Sequence, residues 1–224
     1  MMKKYPMKLR PVPKEILWGG DRLKKRYNKE APFAKLAESW ELTVRDDGMS
    51  VIDNGDYTGM TLLEYLRHAS DALSATRTMD PEQFPLLIKF IDAHDDLSIQ
   101  VHPDDEYARV HAHSSGKMEM WYIVEAEEGA RLVYGLRDGC TAEDFANAVQ
   151  SDRIEAVLRS VPVQAGECYF IPSGQIHAIG AGCVIAEIQQ NCNITYRVFD
   201  YRRKQADGTL RRLHVREALD VVRV

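Results

Sequence analysis

The hydrophobic positions of this chain recur mostly with a period of two, in short runs closed by glycine, proline or acidic turn residues. Alternate side chains of a strand point to opposite faces. Residues 38–44 (ESWELTV) therefore read as a strand, following the turn signal Trp18-Gly19-Gly20-Asp21. Residues 86–93, after the break between Pro81 and Pro85, read as a mostly buried strand, and His94-Asp95-Asp96 turns the chain into another over 97–101. Strands over 119–124 and 131–135 continue the pattern. From Val161 onward short strands alternate with glycine turns and end in a hairpin around Asp207-Gly208. Helical signals are fewer. Thr61 opens a short amphipathic helix with Glu64 placed for a capping box, Thr141 starts a helix reaching about Gln150, 154–158 suggests one more turn, and 106–111 is compatible with a helix. The pattern predicts a mainly β protein, a sandwich or barrel with a few added helices.

Composition narrows the partners. The 224 residues carry a net charge of -5, so neither nucleic acid nor an anionic membrane is expected as a partner through overall attraction. An anionic ligand would have to be caught by a local cluster of Lys and Arg. No apolar run approaches the ~20 residues of a membrane span, and the basic start MMKKYPMKLRPVPKEILW has no signal-peptide core behind it. Cys140, Cys168, Cys183 and Cys192 form no Cys-x-x-Cys pair and read as buried thiols of a reducing compartment. These points predict a cytoplasmic protein.

Candidate chemistry collects in three places. Gln100 and His102 share a strand face, as do Lys117, Glu119 and Trp121 further on. Gly166-x5-Pro172-x-Gly174-x2-His177 then delivers a histidine from a backbone fixed by proline and glycine. Two imidazoles and a carboxylate from three strands complete a metal site, with Gln100 as a fourth, oxygen ligand; this set suits zinc or another divalent first-row ion. Each residue alone is weak evidence, since a strand-end histidine is commonly an ordinary surface residue, and only the pattern around His177 raises the estimate. A rival pair, His111 and His113 with Glu119, would need a strand where Ser114-Ser115-Gly116 reads as a loop, so both read as surface residues. His68, His94 and His214 lack ligand-like spacing and read as structural.

The Gly166–His177 pattern is similar to the second cupin motif, with Ala181 where an asparagine usually closes it, while Gln100-Val101-His102 stands where the first motif usually has His-x-His. SIQVHPDDEYA, GKMEMWYI, IPSGQIHAIG, AEIQQNCNITYRVFDY and LHVREAL, with Trp18-Gly19-Gly20 and Glu38-Ser39-Trp40-Glu41, together closely resemble the type I mannose-6-phosphate isomerases in their short bacterial form. The resemblance covers nearly the whole chain and implies a cupin-type jelly roll with helical additions. It implies one zinc per chain on Gln100, His102, Glu119 and His177, a catalytic Arg197 in Asn193-Ile-Thr-Tyr-Arg197, and Lys117 and Glu187 in the active-site wall. The implied reaction interconverts D-mannose 6-phosphate and D-fructose 6-phosphate through an enediol(ate), in a monomer or homodimer acting on a small sugar phosphate. Glu187, Lys117 and a water on the metal are the candidate proton carriers. Lys117 and Arg197 are candidates for binding substrate, with Ser98, on the Gln100 face, as a hydrogen-bond donor to the phosphate. A single domain over 1–224 is expected, its metal-binding core at about 84–203 with N-terminal strands and a helix packed on it. A cupin isomerase of another sugar phosphate, an iron-dependent cupin dioxygenase and a non-catalytic sugar-phosphate-binding cupin are the alternatives. The glutamine at 100 argues against the first two, and four filled ligand positions argue against the last.

Overall fold

The period-two pattern folds into two large antiparallel sheets, with two small two-stranded ones near the N-terminus, in a computed structural model that describes residues 5–69 and 80–224. The strands are β1 (Val12–Lys14), β2 (Glu38–Leu42), β3 (Leu86–Ala93), β4 (Ile99–Val101), β5 (Glu119–Ala126) and β6 (Arg131–Leu136). They continue with β7 (Leu158–Pro162), β8 (Cys168–Ile171), β9 (His177–Ile179), β10 (Cys183–Gln190) and β11 (Tyr196–Phe199). One sheet runs β8-β5-β10-β3-β2-β1 and the other β7-β6-β9-β4-β11. Between them lies an apolar layer, with Ile91, Trp121, Ile123 and Ile185 from the first sheet meeting Leu132 and Ile179 from the second. This is the mainly β, jelly-roll type of architecture that the sequence predicted.

Helices cover the outer faces. On the six-stranded sheet, α1 (Arg22–Tyr27) sets Leu23 against Leu36 and Val184, with Phe90 and Val124 beside them. That explains why Val184 and Ile185 are both buried although they face opposite ways. On the five-stranded sheet, Ile99, Val101, Ala178 and Val198 pack beneath Phe145 of α4 (Ala142–Gln150) and Ala218 of α5 (Val215–Val221). Between those in sequence come α2 (Leu62–His68) and α3 (Asp105–Ala112). The Thr61–Glu64 capping box is present, with Thr61 Oγ1 accepting from Glu64 N and the Glu64 carboxylate accepting from Thr61 N. Thr61→Ala is expected to destabilise the protein by about 1 kcal/mol, read as a lower urea midpoint at unchanged slope. Among the described residues no helix is long and apolar enough to cross a membrane.

The differences from the sequence reading lie at chain reversals. The 97–101 strand begins at Ile99, with Leu97 N donating to Ile179 O just ahead of it. The 154–158 turn is a 3-10 helix, Ile154–Val157. The hairpin at Asp207-Gly208 reduces to one bridge, Lys204 to Leu210, since its residues are exposed and no apolar face fixes a longer ladder. Helices α1 and α5 were not anticipated; unlike the equally short α2, neither has a capping side chain to mark its start. Of the four free cysteines, Cys183 and Cys192 are buried, whereas Cys140 is partly exposed and Cys168 exposed, correcting the expectation of four buried thiols.

Candidate metal centre and its cavity

Register places the polar residues in two rows that face each other across the sandwich. In the five-stranded sheet His177 pairs with Gln100 and Gln100 with Arg197, so all three share the inner face. In the six-stranded sheet Trp121, Glu187, Lys89 and Trp40 lie directly opposite one another on successive strands. His102 follows β4 immediately and Glu119 opens β5. Two glycines allow these ends to meet. Gly174 (φ +83°) donates to His102 O, and a Cβ there would stand 2.8 Å from Val221 O. At Gly116, just before Lys117, a Cβ would lie 2.5 Å from Asp105 N.

His102, Glu119 and His177 converge in the buried interior, each offering a ligand atom within 4.8 Å of the others. Their hydrogen bonds fix the tautomers. His102 Nδ1 faces Ile194 O at 2.8 Å and His177 Nδ1 faces Gln175 O at 2.8 Å. A carbonyl only accepts, so each Nδ1 carries the proton and each Nε2 presents a lone pair. Those two Nε2 atoms are 3.2 Å apart, and Glu119 Oε1 is 3.1 Å from His102 Nε2 while Oε2 is 3.8 Å from His177 Nε2. Three acceptors facing one another repel unless a cation lies between them. Glu119 Oε1 is buried, and the cation now beside it is the ammonium of Lys117. Ligands at 2.0–2.1 Å from a tetrahedral ion would lie roughly 3.3 Å apart, and the observed separations bracket that value. These residues fit a first-row divalent ion.

Lys117 and Gln100 complete the surroundings. Lys117 Nζ lies 2.6 Å from Glu119 Oε1 and 3.3 Å from His102 Nε2. Gln100 turns its Nε2 toward His177 Nε2 at 3.4 Å, while its Oε1 accepts from Ser98 Oγ at 3.3 Å. An oxygen ligand from Gln100 therefore requires the amide to turn over about its last torsion. His111 and His113 lie outside this cluster. His111 is exposed and stacks on Tyr107, and exposed His113 ends α3 in the left-handed region.

Beside the centre, sharing Gln100 and Lys117 with its surroundings, is a cavity of about 270 Å³ lined by Ser98, Gln100, Lys117, Glu187, Arg197 and Arg211, with Trp18, Glu38 and Lys89 in its wall; His102, Glu119 and His177 lie behind that lining. Glu187 is held from two sides. Trp121 Nε1 donates to its Oε1 at 2.8 Å, and Lys89 Nζ lies 2.7 Å from its Oε2. Lys89 also reaches Glu38 at 3.5 Å. Neither Lys89 nor Arg211 was singled out from sequence. An inward signal for Lys89 was present, since it alternates with Leu87, Ile91 and Ala93 in an otherwise apolar strand. Arg197 is not paired with Asp200 or Glu187, the bland alternative for a strand arginine. Its Nη1 donates to Arg212 O at 2.9 Å, and Asp200 is taken by Arg203 and Arg211.

Burial sets the titration of the metal-free centre. It holds His102 down to about 3 from the ordinary 6.5, with Lys117 adding to the effect, and lowers His177 as well. Glu119 lies well below 4.5, because Lys117 and the two imidazoles outweigh its burial. Burial and the Glu119 charge push Glu187 up to about 7. Below about pH 6.5 the unfolded chain binds protons that native His102 and His177 refuse, so their contribution is lost as pH falls toward 3; Glu119 acts in the same sense below about 4.5. Glu187 acts oppositely, its contribution present below 4.5 and lost as pH rises through about 7. Metal-free protein is thus expected to show its steepest fall in Tm below about pH 4.5, where Glu119 adds to the histidines and Glu187 no longer opposes them, measured by thermal melts after chelation.

Two antiparallel sheets enclosing a buried His–His–Glu cluster beside a cation-lined cavity define a β-sandwich protein with a candidate metal centre. The model of the phosphomannose isomerase type I catalytic domain matches residues 7–130. The mannose-6-phosphate isomerase ManA of Bacillus subtilis is 38% identical over 224 residues, all of this chain and 70% of the relative. The mannose-6-phosphate isomerase of Streptococcus mutans is 36% identical over 219 residues, 98% of this chain and 68% of the relative. A crystal structure of the Bacillus subtilis mannose 6-phosphate isomerase superposes with a TM-score of 0.93 at 35% identity, covering 99% of this chain and 69% of that one. The chain belongs to the type I phosphomannose isomerase family. A zinc-bound mannose 6-phosphate isomerase, 16% identical with a TM-score of 0.74 over 97% of this chain and 74% of that one, shares the fold.

Proposed function

We propose that this protein interconverts D-mannose 6-phosphate and D-fructose 6-phosphate through an enediol(ate), using one zinc ion held by His102, Glu119 and His177 with the turned Gln100 amide as fourth ligand. The observation that carries the reading is the pair of unprotonated Nε2 atoms meeting a buried carboxylate next to a cavity lined by Gln100, Lys117, Glu187 and Arg197. Family membership and the zinc-bound fold relative support it. When bound, the ion supplies Lewis acidity to a substrate oxygen, an effect of several kcal/mol.

The chain's own residues do the rest. Moving a proton between adjacent carbons needs a carrier, and Glu187, fixed by Trp121 and Lys89 with its carboxylate at the cavity wall, takes that role. Lys117 and Arg197 face the negative charge that develops on the substrate oxygens. Ser98 stays near Gln100, where its hydroxyl orients the amide; its hydrogen bond there argues against the phosphate as its first partner. Trp18 and Glu38 in the same cavity support reading 1–224 as a single domain, and four free cysteines fit a reducing cytoplasm. The test is metal analysis with a coupled assay on mannose 6-phosphate. Turnover that tracks zinc content and is lost on chelation is expected; zinc-loaded protein that binds the sugar phosphate without turning it over would leave a binding protein instead.

A further inference from the structure

The isomerase reading leaves the phosphate without a seat. Four cations line the cavity, and two of them are committed at depth: Lys117 to Glu119, and Lys89 to Glu187 and Glu38. The other two stand at the side formed by β11 and the return segment 200–214. Among the described residues Arg197 has no carboxylate partner, and its Nε is buried with no hydrogen bond. Arg211, its side chain 14% exposed, is fixed through Nε and Nη2 on both oxygens of buried Asp200. Those bonds use two of the five N–H groups of a guanidinium and leave three free.

The local charge is unbalanced. Asp200 carries one negative charge and is shared by Arg203 and Arg211, while Arg197 lies beside them unpaired. Three guanidiniums against one carboxylate leave a surplus of two positive charges. A phosphate monoester carries roughly -1.5 to -2 at neutral pH, opposite in sign to this surplus, of which Arg197 and Arg211 face the cavity. Arg197 also senses the mismatch: burial, then the neighbouring Arg211 charge, lower its pKa. The spacing fits as well. Arg197 stands two strands from His177 along one row, and neighbouring strands lie about 4.8 Å apart. That leaves about 10 Å between the metal centre's strand and the arginine strand, a span for an extended sugar phosphate with Arg197 between its two ends.

We infer that Arg211, held in place by Asp200, is the phosphate anchor of this enzyme, with Arg197 flanking it, so that the 200–214 segment sets the preference for phosphorylated sugars. Arg211 would touch the phosphate, and Asp200 is a positioning residue. The inference rests on the isomerase reading for the sugar but not for the phosphate, and two probes keep these apart.

The first probe is steady-state kinetics of zinc-loaded Arg211→Gln on mannose 6-phosphate. Loss of charge-assisted bonds to the phosphate should raise KM about tenfold or more while kcat falls much less. Arg216→Gln, which removes the same charge from an exposed position of α5, should leave KM unchanged. The second probe is inorganic phosphate, titrated calorimetrically into the zinc-loaded protein, which reads the anchor even if no turnover is found. Its affinity should weaken in Arg211→Gln by a similar factor and stay unchanged in Arg216→Gln. Asp200→Asn separates position from charge, because it makes the rim more positive. Weaker phosphate binding in Asp200→Asn supports the positioning role, and tighter binding overturns it. Unchanged KM and unchanged phosphate affinity in Arg211→Gln, or a loss confined to kcat, would overturn the anchor.

Discussion

His177→Ala is expected to purify folded but without bound metal, with turnover on mannose 6-phosphate lowered by more than about 10³-fold. The expectation follows from what the ring does. Its Nδ1 donates to Gln175 O and its Nε2 meets His102 Nε2 at 3.2 Å, so removing it deletes one of three convergent ligand atoms from a buried site. Loss of Lewis acidity worth several kcal/mol corresponds to about 10³ in rate, at ~1.4 kcal/mol per factor of ten. The fold should survive, because β9 keeps its pairing with β6 and β4 through backbone bonds and Ile179 and Ala178 keep their places in the two apolar clusters. Metal content by atomic emission, circular dichroism and the coupled assay read the three consequences. A His177→Ala protein with normal zinc would remove this ring from the ligand set. Changing His111 and His113 together should be nearly silent, since both lie exposed at the end of α3.

The parts of this site that were legible in sequence are those whose signal is local. Gln100 and His102 share a face by strand periodicity alone, and the proline and glycines around His177 announce a backbone fixed to aim a ring. The buried strand at 86–93, the capping box at Thr61 and the helix from Thr141 are likewise written in consecutive residues. The facing of the two rows was not legible. That Trp121, Glu187, Lys89 and Trp40 align is a matter of register between strands far apart in sequence, which only the assembled sheet determines. For the same reason Lys89 went unremarked, although a lysine at an inward position of an apolar strand must have an ionic partner. Arg211 was hidden more deeply. It lies in an irregular, mostly polar segment with no period, and only Asp200, buried at the end of β11, draws it to the cavity. The orientation of Gln100 was also beyond the sequence, since a strand face fixes the direction of a side chain and not which end of its amide points inward.

Arg197→Ala is expected to separate metal binding from catalysis. The guanidinium makes no bond to His102, Glu119 or His177; its Nη1 donates to Arg212 O, and its Nε has no hydrogen-bond partner among the described residues. Zinc content should therefore equal that of the parent protein. The backbone of residue 197 keeps its link to the C-terminal segment, because His214 N donates to the carbonyl at 197 whatever the side chain, so the cavity wall should persist. What disappears is a fixed positive charge facing the substrate in a partly buried site, where removal of one such donor commonly costs about 10²–10³ in kcat. A rise in KM should accompany it if Arg197 flanks the phosphate, but the larger loss should fall on kcat, the reverse of the pattern expected for Arg211→Gln. Arg197→Lys should recover little, since an ammonium lacks the planar fork that reaches in two directions at once. Unchanged kcat in a zinc-replete Arg197→Ala protein would leave Lys117 and the metal alone to stabilise the developing charge, and Arg197 would then be a wall residue with no part in the chemistry.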